Sequence, residues 1–266
     1  MSGTAPPARL HVIPAIACDK ALILRRGPTR QVASMLWDRR SGAIEMGQWL
    51  KGTIYVHKSD LSPDGRHMIV FAGQGGRYWT AISRAPWLSA IAYWPFDETW
   101  FGGGAFTRDG LVFGNGFAVP KPLPDGLHPA PEDAYPSGTD GFHMGLFFPA
   151  MLEARGWRIT GGERYDVTLE KPLRGHWSLR LRFEHGFRTK GSLSNPVYTL
   201  VRGDAAVEMP DWEWAEPWDD GIQVARMGGL YGMKLGRNGL SDEVRLHDFN
   251  DMTFEPRQAP YEGIRA

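Results

Sequence analysis

The sequence predicts an all-β fold, a five-bladed β-propeller with a proline-rich insertion in its third blade. Three observations carry that prediction. Turn residues recur ahead of short apolar runs at a fixed interval. Glycine and proline are abundant, at 33 and 20 of 266 residues, which suits many short elements joined by turns. No segment keeps a 3.6-residue apolar period over three or more turns, so long helices are not expected.

The interval is read from the turns. Asp19-Lys20 stands before Ala21-Leu22-Ile23-Leu24, Asp64-Gly65 before Met68-Ile69-Val70-Phe71, and Asp109-Gly110 before Leu111-Val112-Phe113. Positions 20, 65 and 110 are 45 residues apart. Arg174-Gly175 and Asp220-Gly221 repeat the pattern, with 175 and 221 lying 46 apart. Only the step from 110 to 175 is out of phase. It contains residues 118–141, with Pro120, Pro122, Pro124, Pro129, Pro131 and Pro136, the composition of an extended insertion. A unit of about 45 residues has room for the four short strands of a propeller blade.

The elements follow in order, in one domain over residues 1–266. The first unit, 10–51, offers strands at 10–16, 20–25, 31–37 and 43–50. The second, 52–98, offers 53–58, 67–72, 78–84 and 88–94. Within it Ser62-Pro63-Asp64-Gly65 is a sharp reversal: Pro63 presets φ, Asp64 can bond its own backbone, and Gly65 tolerates positive φ. The third unit, 99–161, starts with strands at 100–106 and 111–113 and breaks for the proline segment. Its outer half falls at 145–160, where residues 146–152 suit either a strand or a short helical turn. The fourth, 162–210, offers 165–170, 177–183, 197–202 and 205–209. The fifth, 211–251, offers 212–216, 222–226, 230–235 and 243–249, with a hairpin turn signal at Asn238-Gly239. The tail, 252–266, is expected to lie across the first unit.

Asp60-Leu61-Ser62-Pro63-Asp64-Gly65 followed by an apolar strand resembles the repeat of TolB-like, WD40-like propellers. Trp37-Asp38, ending a strand before a turn, is similar to the WD40 blade. The match is good in the second unit, partial in the third and fifth, and degraded in the first and fourth. The chain is also similar to a group of bacterial propeller proteins of unknown role. This resemblance implies the fold and no chemistry, because propellers host lectins, hydrolases and scaffolds alike.

Composition narrows the partners. Lys+Arg and Asp+Glu balance at 30 each, so no global field draws nucleic acid or an anionic membrane. The basic cluster Arg25, Arg26, Arg30, Arg39 and Arg40 reads as a solvated blade edge. Cys18 is the sole cysteine, which excludes an intrachain disulfide and lends no support to an oxidising compartment. Ala15-Ile16-Ala17-Cys18 faintly resembles a lipoprotein cleavage box. The segment ahead of it, however, is broken by Pro6, Pro7, His11 and Pro14 and has only Arg9 as a basic residue. No apolar run approaches the ~20 residues of a membrane helix. A cytoplasmic protein without membrane or nucleic-acid partners is expected.

Three groups of residues are candidate sites. The proline segment, with Pro120, Pro124, His128 and Tyr135, is a long insertion on a rigid scaffold, a common place for partner binding. Trp212, Trp214 and Trp218 interleave with Glu213, Glu216 and Asp219. Strand alternation puts Trp212 and Trp214 on one face and Glu213 on the other. Such a face can stack on a sugar, although packing between blades is the favoured reading. Asp60, Glu170, Asp211 and Glu213 fall on or near innermost strands and are candidate channel-mouth carboxylates. In glycosidases a raised-pKa acid and an ionised partner divide the work there; a structural role is favoured.

Other chemistries find little support. The histidines, His11, His57, His67, His128, His143, His176, His185 and His247, form no metal-ligand motif, and Asp248, Asn250 and Asp251 lack the remaining ligands of a calcium loop. No metal and no cofactor is expected. There is no Gly-x-Ser-x-Gly elbow. Gly102-Gly103-Gly104 precedes a strand rather than a helix, which suits close backbone approach better than phosphate binding.

Two functional classes remain. The favoured one is a non-catalytic interaction module that binds a protein or peptide partner. The alternative is a carbohydrate-binding or glycoside-active propeller. Burial of Trp212 and Trp214 is expected and would favour the first.

Overall fold

The computed structural model of the chain describes residues 6–27, 29–136, 146–163, 166–185 and 194–263. Among these residues the architecture is an all-β propeller of four blades, each an antiparallel sheet of chain-consecutive strands. Blade 1 comprises β1 (Arg9–Pro14), β2 (Lys20–Arg26), β3 (Gln31–Asp38) and β4 (Ile44–Lys51). Blade 2 comprises β5 (Thr53–Ile54), β6 (Asp60–Leu61), β7 (His67–Gln74), β8 (Arg77–Arg84) and β9 (Ala90–Phe96). Both β5 and β6 pair with β7, separated by a 3-10 turn at Val56–Lys58. A two-stranded hairpin, β10 (Gly104–Phe106) and β11 (Val112–Gly114), follows, and then helix α1 (Phe147–Glu153). Blade 3 is β12 (Arg158–Gly161), β13 (Thr168–Pro172), β14 (Ser178–His185), β15 (Ser194–Arg202) and β16 (Ala205–Met209). Blade 4 is β17 (Trp214–Trp218), β18 (Gly221–Arg226), β19 (Gly229–Gly236) and β20 (Gly239–Asp248).

The blades stand together because strands such as β2 are apolar on both faces. Leu22 and Leu24 pack against blade 2 through Val56, Leu61 and Met68. Ala21 and Ile23, pointing the other way, pack against blade 4 through Trp214, Ala225 and Phe249. Ile69 and Ile82 carry blade 2 onto the hairpin through Phe106 and Val112. The largest core joins hairpin, α1, blade 3 and blade 4, from Phe113 and Phe147 through Leu181 to Val224. The circuit of face-to-face packing is therefore closed, and each sheet hides its apolar faces only against its neighbours.

The expected five blades are corrected to four. Among the described residues the third expected unit, 99–161, holds the two-stranded hairpin, a 3-10 turn at Pro124–Gly126, α1 and β12, and β12 joins the sheet of blade 3. The physical reason lies in the proline segment. Proline lacks the N–H a ladder needs and fixes φ, so these residues cannot supply outer strands. They form a strap instead. Val112 N–H donates to His128 O at 2.8 Å and Ala130 N–H donates to Val112 O at 2.8 Å, so the strap caps the free edge of β11. Residues 146–152, open between strand and helix in the sequence, give α1, with Pro149 in its first turn where a missing N–H costs nothing. The expected strand 165–170 begins outside the described residues, and His143 and positions 137–141 of the proline segment lie outside them.

Local turn chemistry matches the sequence. Gly65 adopts φ +71°, and Ser62 Oγ accepts the N–H groups of Arg66 and His67 at 3.1 and 2.9 Å. Gly103, at φ +81°, lies so close to blade 2 that a Cβ there would sit 2.4 Å from Lys58 O. Its N–H donates to Thr80 Oγ1 at 2.7 Å, which fixes the hairpin to blade 2.

Candidate ligand-binding cavity

Residues of all four blades and of α1 line an open cavity of about 290 Å³. Every blade contributes to its wall. All of β1 lines the cavity; along it Leu10 and Val12 are buried in the core shared with blade 4, and the half-buried Arg9 and His11 alternate with them. Arg26, at the end of β2, stands opposite Arg9 in the strand register. Blade 2 contributes His57, α1 contributes Phe148, blade 3 contributes Phe183, and Glu213 enters just ahead of β17. Four rings form a cluster on the wall. His57 lies 4.6 Å from Phe148 and 5.3 Å from His11 between centroids, and Phe148 lies 5.9 Å from Phe183.

The electrostatics follow from burial. Arg9, His11, Arg26 and Glu213 keep only partial exposure and line the cavity. Burial, then the Arg26 and Arg155 guanidinium groups, push the His11 pKa down to about 3, so its ring is neutral at ordinary pH. Burial pushes Arg26 down to about 10, reinforced by Arg9 and opposed by Glu213. Arg26 Nε is enclosed and has no hydrogen-bond partner among the described residues. Burial pushes Glu213 up to about 7, against the stabilising N–H of Leu10, at 2.6 Å, and the charges of Arg26 and Arg9. Arg26 and Glu213 thus attract each other through space without forming an ion pair. The neighbouring charges are satisfied within the fold: Arg155 pairs with Asp60, and Lys171 with Glu216.

The candidate carboxylates divide into two pairs. Asp211, exposed, and Glu213 line the cavity. Asp60, 0% exposed, does not. It accepts the N–H groups of Leu61 and Phe106 at 2.8 Å each and pairs with Arg155, tying blade 2 to the hairpin and to the end of α1. Burial raises its pKa, against Arg155. Glu170 accepts Arg180 Nε at 2.7 Å within blade 3, away from the cavity.

The tryptophans do not form one face. Trp212 precedes β17 and packs against Tyr198, with 5% exposure, while Trp214 lies edge-on to Trp37, 6.3 Å away, with 6% exposure. They belong to different cores because the strand begins only at Trp214, so the alternation expected over 212–214 does not hold. Trp218 is half-buried under the guanidinium of Arg39, 4.4 Å from its ring centre.

The proline strap lies apart from the cavity. Pro120 and His128 are exposed, and Pro124 opens a 3-10 turn. Tyr135 is buried and donates its hydroxyl to Phe106 O at 2.9 Å. Asp125 holds the strap to blade 2 by accepting from Arg84 at 2.6 and 2.7 Å and meeting His67 at 3.0 Å.

Sequence reasoning passed over Arg9, His11, Arg26, His57 and Phe148. The Arg-Leu-His-Val alternation of residues 9–12 was the available signal for two of them. Arg25 and Arg26, expected on a solvated edge, are instead inside. Arg25 donates from Nε to Phe249 O at 3.2 Å and from Nη2 to Asn250 O at 3.3 Å. Among the described residues no group of three or more His, Cys, Asp or Glu side chains is placed to hold a metal ion, and no helix is long and apolar enough to cross a membrane.

No protein-family model matches the chain, and no curated protein matches it significantly. Solved structures are similar over most of its length. An uncharacterized protein from Listeria monocytogenes EGD-e is 9% identical with a TM-score of 0.32, covering 91% of this chain and 66% of that one. The β-propeller domain of the Trilobed protease from Pyrococcus furiosus is 10% identical with a TM-score of 0.31, covering 92% and 100%. An acylaminoacyl peptidase from Pyrococcus horikoshii is 11% identical with a TM-score of 0.27, covering 94% of this chain and 55% of that one. This chain therefore spans less than two thirds of the peptidase. Likenesses this distant carry no argument, and the four-bladed assignment rests on the sheets themselves.

Proposed function

We propose that the protein is a binding propeller whose cavity receives the end of a protein or peptide partner. The observation that carries this reading is one cavity lined by all four blades and α1, in which the rings of Phe148, Phe183, His11 and His57 share the wall with Arg26 and Glu213, which form no ion pair among the described residues. At about 290 Å³ it lies near the lower end of ligand-pocket volumes and suits one or two residues of a chain. The proline strap is a weaker candidate, because its backbone and Tyr135 are spent on holding the hairpin. The carbohydrate reading draws on Asp211 and Glu213 sharing the cavity. Trp212 and Trp214 also line the cavity, but at 5% and 6% exposure they are packed into cores and offer little face for a sugar to stack on.

The test is direct selection. The protein is screened against an immobilised random-peptide library and, in parallel, a glycan array. Enrichment of peptides through residues at one chain end, lost in Leu152→Trp, which fills the cavity wall, is the expected result. Glycan capture without peptide enrichment would replace this reading with the carbohydrate one.

A further inference from the structure

Resting on the reading above, we propose that the chain end taken by the cavity is a C-terminal carboxylate carried by an apolar residue, seated on the guanidinium of Arg26. Four observations lead there. Arg26 lines the cavity, and among the described residues its enclosed Nε has no hydrogen-bond partner, a costly arrangement for one nitrogen of a charged group. A carboxylate is the group whose two oxygens match the arginine fork.

The surroundings select for an anion of low charge. Arg9 lies opposite Arg26 in the β1–β2 register, and Arg26 and Arg155 both act on His11, so this part of the wall is electropositive. Glu213 is the opposing charge. With its pKa pushed up to about 7, it is partly protonated at neutral pH and can donate a hydrogen bond to a ligand oxygen. Once Glu213 ionises it opposes each negative charge on the ligand, so a single carboxylate meets less repulsion from it than a dianion. His57, Glu216 and Asp211 also line the cavity, with Glu216 held by Lys171 and Asp211 open to solvent.

The apolar side of the ligand follows from the rings. His11 couples electrostatically to Arg26 and stands 6.2 Å from Phe148, which in turn touches the Phe183 side of the wall. A terminal residue with its carboxylate on Arg26 therefore has an aromatic surface beside its side chain. Neutral His11 adds to that surface without adding charge.

The experiment measures fluorescence anisotropy with labelled octapeptides ending in Leu, Val or Phe, each prepared as the free acid and as the C-terminal amide. Free acids are expected to bind roughly tenfold or more tighter than amides, and Arg26→Met to abolish most of that difference. Equal binding of acid and amide by the unaltered protein would overturn the carboxylate assignment and leave the peptide-end reading standing. No binding by either form would overturn both. Phenylacetate displacing the labelled acids as effectively as an unlabelled octapeptide would move the ligand class to free small acids and overturn the chain-end assignment. The acid–amide comparison needs no variant, so a folding defect in Arg26→Met does not remove the test.

Discussion

Glu213 and His11 share one cavity, yet their titrations pull stability in opposite directions. Glu213 ionises near pH 4.5 when unfolded and near 7 when folded, so the folded state holds the proton longer and stability falls as pH rises through that window. His11 protonates near 6.5 when unfolded and near 3 when folded, so stability falls as pH drops below 6.5. Between pH 4.5 and 6.5 the two slopes oppose each other. In Glu213→Gln the histidine slope is expected to emerge, up to about 1.4 kcal/mol per pH unit, in urea unfolding at pH 5 and 6.5. Identical pH slopes for variant and parent would contradict this account of the cavity. Asp60 supports a second residue-scale prediction. Asp60→Asn leaves Arg155 buried without its counter-charge and is expected to lower stability by about 3–5 kcal/mol. Adding Arg155→Met should recover part of that loss in chemical denaturation; a double variant as unstable as the single would argue against the pair.

At the scale of elements, the proline strap shows what composition does and does not convey. Six prolines between positions 120 and 136 announced a segment unable to form a blade's strands. They did not reveal that Val112 would lend its N–H and C=O to the strap, because that contact depends on where the chain returns. Nor did they reveal that Asp125 would meet Arg84 and His67, residues from another blade. The Arg84 guanidinium, and then His67, hold the Asp125 carboxyl well below the usual carboxylate range, so this anchor persists at neutral pH and is lost only in strong acid. The pair is partly exposed, and Asp125→Ala is expected to cost no more than about 1 kcal/mol globally. Limited proteolysis should nevertheless cut between 116 and 136 faster in the variant; an unchanged cleavage rate would mean that the β11 contacts alone hold the strap.

At the scale of the whole molecule, the ring closes by side-chain packing and isolated hydrogen bonds. Each sheet consists of consecutive strands, so among the described residues no strand is shared between the first and last blades. Closure comes from Trp37 against Trp214 and from long-range bonds: Ala8 N–H to Asn250 Oδ1 at 2.9 Å, Leu10 N–H to Glu213, and Arg25 to Phe249 O. Past blade 4 the chain crosses the outer strand of blade 1, where Phe254 meets Trp49 at 5.9 Å, and reaches blade 2, where Tyr261 donates its hydroxyl to Ser89 O at 2.7 Å. Trp214→Ala removes the centre of that closure and is expected to cost about 3–5 kcal/mol, read as a lower denaturation midpoint. A loss below about 1 kcal/mol would mean that the seam between blades 4 and 1 is not where the ring is held.

What the sequence by itself determined is the local part: all-β architecture from alternation and turns, the positive-φ reversal at Gly65, the break at the prolines, and packing roles for Trp212 and Trp214. The first three depend on residues a few positions apart, whose backbone preferences act before any distant contact forms; the burial of the two tryptophans was legible only from their apolar bulk, their partners being distant in the chain. Only the tertiary structure decided that there are four blades, that Arg25 and Arg26 lie inside, and that Glu213 faces Arg26 while Glu170 does not. Leu10 and Glu213 bond across 203 positions of chain, and burial at such a meeting point, which sets the charge state of Glu213 and His11, belongs to the assembled ring and to no single stretch of it.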